Sequence, residues 1–281
     1  MPNYLFLDNW TLSNYTTAEY AHRLANFIKS NGYTVIFNGI SMTELYNPGW
    51  ENGGVEERGV RVARFLGDLH CVIVRPEEVW KSEIANFPAK LSSLPIVLDL
   101  DALPTSHRKD AILHVLRGER NLLYNGIDIA RWSTEYNEIK NNWLSSVNKI
   151  IAEGVRQGTI VKTPAGRYQA VDRVKREEFL LSLDWRLANT IPSRFYEASS
   201  VMPSIRCSTL CTWYHYIDPP SRTSAKKPSD IGDIAQLSLA PYCAVCTADT
   251  KMAPTIKQAL KELSSSCQIV TDRELKVMLG S

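Results

Sequence analysis

Short apolar runs alternate with amphipathic segments toward both ends of the 281-residue chain. Residues 4–7, 33–37 and 71–74 are compact apolar runs typical of strands buried on both faces, and residues 16–29 and 55–66 between them show helical spacing. Strands joined by intervening helices pair in parallel, because the connection must cross over the sheet before it returns. The pattern therefore predicts a three-layer α/β/α sandwich with a mostly parallel central sheet.

The middle of the chain departs from this alternation. Helical spacing recurs there in three stretches, at residues 108–117, 135–153 and 174–188. Residues 163–169 predict a hairpin turn, because glycine and proline interrupt the pattern. We therefore expect a single domain whose core is formed by residues 1–98 and 226–281, with a large helical insertion at about residues 99–225.

Composition narrows the class of protein. The net charge is +2, from 32 basic and 30 acidic residues, so any surface that attracts nucleic acid must be local. No stretch approaches the ~20 apolar residues that span a bilayer, and the first residues carry no basic stretch before an apolar run. We therefore expect a cytoplasmic protein without a membrane partner.

Six cysteines allow two interpretations. The spacings Cys207-x3-Cys211 and Cys243-x2-Cys246 suit a four-thiolate zinc site. Against this, Cys243 and Cys246 fall in a predicted strand, where residues three apart point to opposite faces. Several cysteines also lie within apolar runs, so reduced thiols with a structural role are the favoured interpretation.

Acidic residues follow the predicted apolar elements at several places. Asp8 ends the run FLD, Glu44 lies in the turn SMTEL after the second strand, and Asp249 follows a later strand in CTAD. Asp230 and Asp233 open a helix in SDIGDIAQL, one turn apart. Taken singly, each carboxylate has an ordinary explanation as a helix cap or a surface charge. Together they predict an acidic cluster, because functional groups of parallel sheets gather beyond the carboxyl ends of the strands.

Carboxylates from different elements are the ligands that Mg²⁺ and Mn²⁺ prefer. Two such ions activate a water and neutralise a transferring phosphoryl group, which is what hydrolysis of a phosphodiester requires. We therefore predict a combined catalytic and metal-binding set with Mg²⁺ or Mn²⁺ as cofactor. Its members are Asp8, Glu44, Asp230, Asp233 and Asp249.

The order of these motifs resembles the PIN-like (PilT N-terminus-like) nuclease superfamily. That family opens with an apolar strand ending in Asp and continues with a Glu in a short turn. It closes with an Asp at a helix start and a strand that runs into a hydroxyl residue and a last Asp. FLDN, ISMTEL and SDIGDIAQLSLAPYCAVCTAD follow that order over residues 1–75 and 226–275. The resemblance assigns Thr247 to the hydroxyl position and leaves the third acid open between Asp230 and Asp233.

The resemblance implies an α/β/α sandwich, divalent cations and usually an RNA substrate. The expected activity is hydrolysis of RNA, or of another single-stranded nucleic acid, by a metal-activated water. The long middle segment departs from the compact family pattern, so the substrate preference stays open. A role as a toxin, a defence effector or a housekeeping enzyme is compatible with the sequence, and so is a homo-oligomer.

An acidic site also needs cations nearby to hold phosphates. The basic candidates are Arg58, Arg61, Arg64, Lys226, Lys227 and Lys251. The run WYHY brings together Trp213, Tyr214, His215 and Tyr216, and aromatic faces of this kind stack on unpaired bases, unless they form an ordinary buried core. We expect the substrate to be bound by Lys226, Lys227 and Lys251 together with Thr247 and His215.

Several other interpretations are weighed against these. Asp99 and Asp101 suit either a metal site or helix capping, whereas Asp184 and Arg186 are better explained as a structural ion pair. A phosphatase of the aspartyl-phosphate type is disfavoured, because Trp10 stands where it needs a second Asp. The alternatives to a nuclease are another metal-dependent phosphohydrolase and a non-catalytic scaffold or nucleic-acid-binding module, and a non-catalytic protein would not require the acids to converge.

Overall fold

The computed structural model describes residues 3–45, 57–117, 128–164, 167–183, 201–220, 227 and 229–280. The strands within these residues are β1 (Tyr4–Phe6), β2 (Thr34–Asn38), β3 (Cys71–Val74), β4 (Ile96–Asp99), β5 (Ile160–Lys162), β6 (Tyr168–Ala170), β7 (Val245–Thr247) and β8 (Gln268–Val270). The α-helices are α1 (Asn9–Tyr15), α2 (Ala21–Ser30), α3 (Gly39–Leu45), α4 (Glu57–Gly67), α5 (Pro76–Asn86), α6 (Thr105–Leu116), α7 (Ile129–Arg156), α8 (Arg173–Leu183), α9 (Pro203–Thr212), α10 (Asp230–Leu237), α11 (Ala253–Glu262) and α12 (Asp272–Met278).

Six of the strands form one sheet in the order β4–β3–β2–β1–β7–β8. Every pairing in this sheet is parallel except that of β3 with the edge strand β4. The chain leaves β1 toward β2 on one side and returns on the other side as β7, so β1 and β7 flank a topological switch point. In open α/β sheets, ligands bind beyond the carboxyl ends of the strands at such a point.

Two apolar cores lie on the two faces of the sheet, because successive side chains of a strand point in opposite directions. Tyr4 and Phe6 of β1 belong to one core, and Leu5 and the following Leu7 belong to the other. Helices α5, α8, α9, α10 and α11 pack into the first core, and α1, α2, α3, α4, α6 and α12 pack into the second. The molecule is therefore a three-layer α/β/α sandwich, as predicted.

Within the described residues, the middle of the chain is mostly helical, as predicted, and it packs into both layers. The predicted helices at residues 108–117 and 135–153 are α6 and α7, and the predicted hairpin joins the antiparallel pair β5–β6. The third predicted helix is α8 up to Leu183, and its remainder lies outside the described residues. Helix α7 carries side chains of both cores, with Trp132 in one and Val147 in the other.

Helix α1 was not predicted, and helix α2 begins later than the expected residue 16, at Ala21. The carboxylate of Asp8 accepts a hydrogen bond from the Thr11 amide and so caps α1 directly after β1. The Thr16 hydroxyl donates back to the carbonyl of Leu12 at 2.6 Å, so it ends α1 and does not cap α2. Helix α12 is capped by Thr271. Local propensity does not distinguish these alternatives, since all of these residues are good caps.

A buried carboxylate attaches α9 to α5. Glu83 of α5 is 0% exposed, and it accepts hydrogen bonds from the amides of Ser204 and Ile205 at 2.8 and 3.0 Å. These amides belong to the first turn of α9, where backbone amides have no hydrogen-bond acceptor within the helix. Oε1 of Glu83 also accepts a hydrogen bond from the Tyr242 hydroxyl at 2.7 Å. Helix α9 in turn packs against α10, which carries Asp230 and Asp233, and against α11, which follows Asp249.

The cysteines lie mainly in the apolar core. All six are free, and five of them are buried. Burial raises the pKa of the Cys207, Cys243 and Cys246 thiols, which keeps them protonated and apolar in character.

No helix within the described residues is both long and apolar enough to cross a membrane.

Candidate functional site

Asp8 and Thr247 join β1 to β7 at the switch point. The Thr247 hydroxyl donates to Oδ1 of Asp8 at 3.0 Å and accepts from the Asp8 amide at 2.8 Å. Oδ1 also accepts from the Thr11 amide, and the Thr11 side chain adds a further hydrogen bond to this carboxylate. Thr247 itself is buried, at 2% exposure. The hydroxyl expected to bind substrate therefore orients the carboxylate of Asp8.

A small acidic pocket opens beside Asp8 at the carboxyl edge of the sheet. Its free volume is about 90 Å³, and its polar lining comes from Asp8, Asn9, Asp233, Gln236 and Asp249, with Trp10 at the side. Asp249 follows β7 and accepts a hydrogen bond from the Met252 amide at 2.6 Å, which fixes its position at the start of α11. The topology thus brings the first and the last predicted acids into one pocket with Asp233.

Asp233 has a strongly raised pKa. Burial raises its pKa from the ordinary value of 3.8 to about 8, and the negative charges of Asp249, Glu44, Asp230 and Asp8 contribute further. The pKa of Asp8 is also raised, chiefly by burial and in part by Asp249. Asp233 therefore holds a proton at neutral pH, because the surrounding carboxylates and the low-dielectric surroundings disfavour another negative charge.

Asp230 lies one helical turn before Asp233 and has the opposite character. Although burial opposes ionisation, hydrogen bonds from His215, the Lys227 amide and Lys251 lower the pKa of Asp230 to about 2. Oδ2 accepts from Nε2 of His215 at 2.8 Å and from the Lys227 amide at 2.9 Å, and Oδ1 accepts from Nζ of Lys251 at 2.6 Å. Both oxygens of this carboxylate are therefore occupied by protein donors.

Glu44 contacts the pocket through its neighbours. Its Oε2 accepts from Nδ2 of Asn9 at 2.5 Å, and its Oε1 accepts from the Tyr136 hydroxyl at 3.4 Å. Burial raises its pKa, against the hydrogen bonds from Asn9 and Tyr136. Tyr136 can approach only because residue 232 is glycine: a Cβ atom at Gly232 would lie 2.1 Å from the tyrosine hydroxyl oxygen. Helix α7 of the middle segment thus supplies part of the wall around this acid.

The pocket residues fit a divalent cation in their chemistry. Asn9 donates to Glu44 through its amide nitrogen, and its buried Oδ1 has no hydrogen-bond partner among the described residues. Together with Oδ2 of Asp8 and the carboxylate of Asp233, it is a hard oxygen donor of the kind that Mg²⁺ and Mn²⁺ bind. Within the described residues, no three His, Cys, Asp or Glu side chains are already arranged around a common point. Binding would therefore have to draw the carboxylates inward.

The predicted cations and aromatic residues are placed differently from expectation. His215 is 0% exposed and bonds to Asp230, and Trp213, Tyr214 and Tyr216 are buried beside it. This corrects the expectation that His215 contacts substrate, because its ring is buried. The aromatic run belongs to the buried core, the alternative to base stacking that the sequence left open. Arg58 donates to the Glu44 carbonyl at 3.1 Å, Arg61 pairs with Glu57, and Arg64 is exposed on α4.

The remaining candidates are distributed as follows. Lys251 is partly exposed and is held by Asp230, Lys227 contacts Asp230 through its backbone, and Lys226 lies outside the described residues. The carboxylate of Asp99 accepts from the Asp101 amide and caps a short 3-10 turn, which agrees with the capping interpretation. Asp184 and Arg186 lie outside the described residues.

Sequence reasoning missed four residues of the site: Asn9, Trp10, Tyr136 and Gln236. Asn9 and Trp10 directly follow Asp8, so adjacency to the first acid was a usable signal for both. Tyr136 and Gln236 carried no comparable signal, since their position depends on how α7 and α10 pack.

No protein family, curated protein or solved structure matches the chain.

Proposed function

We propose that the chain is a metal-dependent nuclease of the PIN-like kind that hydrolyses single-stranded nucleic acid, with RNA favoured over DNA. The observation that carries this proposal is the pocket shared by Asp8, Asp233 and Asp249, where the pKa of Asp233 is raised to about 8. Strongly perturbed carboxylates in a cleft are typical of functional sites, because such repulsion is otherwise a cost to folding. The proposed compartment is the cytoplasm, whose reducing conditions suit six free cysteines.

When bound, Mg²⁺ or Mn²⁺ supplies a water of lowered pKa and neutralises charge on the phosphoryl group. Asp8, Asp233 and Asp249 would hold the cation, and Oδ1 of Asn9 is an additional donor on the same wall. Thr247 orients the Asp8 carboxylate by donating to its Oδ1. Asp233 retains its proton in the empty pocket and releases it on binding, which makes cation affinity rise with pH.

We assign the third acid to Asp233 and not to Asp230. Asp233 lines the pocket, whereas both oxygens of Asp230 accept hydrogen bonds from His215, Lys227 and Lys251. In this proposal Asp230 is a positioning residue that holds Lys251, two residues beyond Asp249, for contact with a substrate phosphate. A lysine used in this way acts as a point charge.

A second candidate function is a nucleic-acid-binding module that keeps the fold without cleavage. It is favoured by one observation: among the described residues, no three acids are already arranged around a common point. Such a module would bind a single strand with or without the pocket acids. The two candidates are therefore separated by whether the pocket carboxylates are needed for turnover.

The test is cleavage of labelled single-stranded RNA and DNA in Mg²⁺, in Mn²⁺ and in EDTA. We expect cleavage only with metal, and we expect Asp8→Asn, Asp233→Asn and Asp249→Asn each to reduce it by more than about 100-fold, the upper end of the loss caused by changes behind a metal site. Asparagine at position 8 or 249 still accepts the hydrogen bonds from the Thr11 and Met252 amides. The proposal fails if cleavage persists in EDTA or survives these substitutions.

Two further variants calibrate that test. Asp68→Asn is the matched control, because Asp68 is exposed just before β3, near the amino ends of the strands and away from the pocket. This variant should have the activity of the wild type. Asp230→Asn should keep turnover with a KM raised by about 10-fold, as expected for a group acting behind the site. A complete loss in Asp230→Asn with normal activity in Asp233→Asn would reverse the assignment of the third acid.

A further inference from the structure

Within the described part of the chain, Trp10 is the only Phe, Tyr or Trp residue that is exposed. It is 44% exposed, and it stands at the side of the pocket that also contains Asp8, Asp233 and Asp249. Tryptophan gains more than most residues from burial, so a large exposed ring beside an acidic cleft calls for an explanation. Its sequence neighbours Asp8 and Asn9 both line the same pocket.

The position of this ring is fixed by its helix and by one neighbour. Trp10 is in the first turn of α1, which is capped by Asp8, so the ring is tied to the acid itself. The ring of Tyr15 contacts it edge-on, with centroids 6.1 Å apart and planes at 62°. Tyr15 is buried and its hydroxyl donates to Asp272 at 2.6 Å, which holds this contact in place. A pre-positioned ring loses little conformational entropy when a ligand binds.

The size of the pocket determines which part of a nucleotide it takes. Its free volume of about 90 Å³ is well below the ~300–1,000 Å³ of pockets that enclose an organic ligand. It has room for cations and phosphoryl oxygens, and a base attached to that phosphate must lie outside it. Trp10 lines the pocket and is partly exposed, so it offers an uncharged ring to a base that lies outside.

We propose that Trp10 is a stacking platform for an unpaired base next to the phosphate in the pocket, and that it selects single strands. This inference rests on the proposed function and assigns a residue to its substrate preference. In a duplex both faces of a base are covered by neighbouring pairs, whereas an unpaired base can be splayed onto an aromatic side chain. Stacking of this kind tolerates any base, because every base has a π-face.

The test is binding of a short labelled single strand, measured by fluorescence anisotropy in Mg²⁺. The Asp249→Asn background keeps the oligonucleotide intact. We expect Trp10→Ala to weaken binding by about 5- to 150-fold, as for the loss of one stacked base, and Trp10→Phe to restore most of it. Val155→Ala is the matched control, because Val155 is 43% exposed near the end of α7 and should leave affinity unchanged.

Two further oligonucleotides separate stacking from other effects. A single strand with abasic sites should bind wild type and Trp10→Ala equally, and a duplex should bind both weakly. Equal binding of the normal single strand to Trp10→Ala and wild type would overturn the inference, and so would an equal loss on the abasic strand, which would indicate a purely structural effect.

Failure of this inference is distinguishable from failure of the proposed function. Cleavage by the wild type together with unchanged binding and turnover in Trp10→Ala would overturn the stacking role alone. Absence of cleavage together with base-dependent loss of binding in Trp10→Ala would support the stacking role and overturn the nuclease. Absence of any single-strand binding by the wild type would overturn both.

Discussion

Asp230 and Asp233 lie one turn apart on α10, yet their environments separate their pKa values to about 2 and about 8. The difference comes from partners: the carboxylate of Asp230 accepts hydrogen bonds from His215 and Lys251, whereas burial and the charges of other carboxylates raise the pKa of Asp233. Hydrogen bonds to the charged form lower a carboxyl pKa, and burial with like charges raises it. Two residues that are alike in sequence therefore have different roles in the proposed site.

The raised pKa of Asp233 predicts how stability depends on pH in EDTA. Between its unfolded value near 3.8 and its folded value of about 8, the folded protein holds a proton that the unfolded chain has lost. The free energy of unfolding should therefore fall as pH rises through this window, by at most ~1.4 kcal/mol per pH unit. Urea unfolding of wild type and Asp233→Asn at several pH values measures the difference.

The variant should show a flatter profile, because asparagine does not titrate, whereas Asp68→Asn should follow the wild type. Addition of Mg²⁺ near pH 8 should restore stability to the wild type, since a cation that binds only the folded state stabilises it by mass action. A wild-type profile that rises between these pH values relative to Asp233→Asn would contradict the prediction.

At the scale of elements, the site depends on helices whose ends are satisfied from elsewhere in the fold. Helix α1 takes its cap from Asp8, so the same carboxylate ends β1, starts the helix and borders the pocket. Helix α9 takes the partners of its first turn from Glu83 on α5. Helix α10 approaches α7 closely at Gly232, where the Tyr136 hydroxyl would clash with any side chain. These contacts set the rotation of each helix relative to the sheet.

Glu83→Gln tests the tertiary cap of α9. The amide nitrogen that replaces one carboxylate oxygen cannot accept from a backbone amide, so a buried donor loses its partner. We expect a loss of about 1.5–3 kcal/mol in the free energy of unfolding, the range for hydrogen bonds to a charged group. Urea unfolding at constant pH measures it.

Glu78→Gln is the matched control on the same helix. Glu78 pairs with Lys81 at the surface, 2.8 Å away, and exposed pairs of this kind contribute ~0.2–1 kcal/mol. Equal losses in the two variants would mean that the contacts of Glu83 with α9 do not stabilise the fold.

For the whole molecule, the two cores are joined by the strands that lie between them. Adjacent residues of β1 alternate between the cores, and α7 carries Trp132 into one and Val147 into the other. The middle segment also contributes α6, which packs against α4. Neither core can lose its packing without exposing strands that the other core needs. The fold should therefore behave as one cooperative unit.

This predicts a single urea transition, coincident by far-UV circular dichroism and tryptophan fluorescence. Leu180→Ala in α8 and Leu66→Ala in α4 each remove a fully buried leucine, one from each core. Each should destabilise by about 2–5 kcal/mol and shift the whole transition. Two separate transitions, of which Leu180→Ala moves only one, would show that the middle segment unfolds independently.

Much of the fold followed from local patterns. The strands β1, β2 and β3 and the helices α6 and α7 were predicted close to their observed positions, because apolar periodicity reflects which faces are buried. Helix α1 and the antiparallel edge strand β4 were missed. Helix α1 is seven residues long and is stabilised by packing of Leu12 and Tyr15, which local propensity does not report.

The sequence by itself determined that acids stand at the carboxyl ends of parallel strands, since Asp8 and Asp249 directly follow apolar runs. Only the tertiary structure decided which of Asp230 and Asp233 lines the pocket. It also decided that Trp10 is exposed and that the aromatic run at residues 213–216 is buried. The reason is physical: spacing along a helix fixes which residues share a face. Which face points at the pocket depends on packing with distant residues, such as Gly232 against Tyr136.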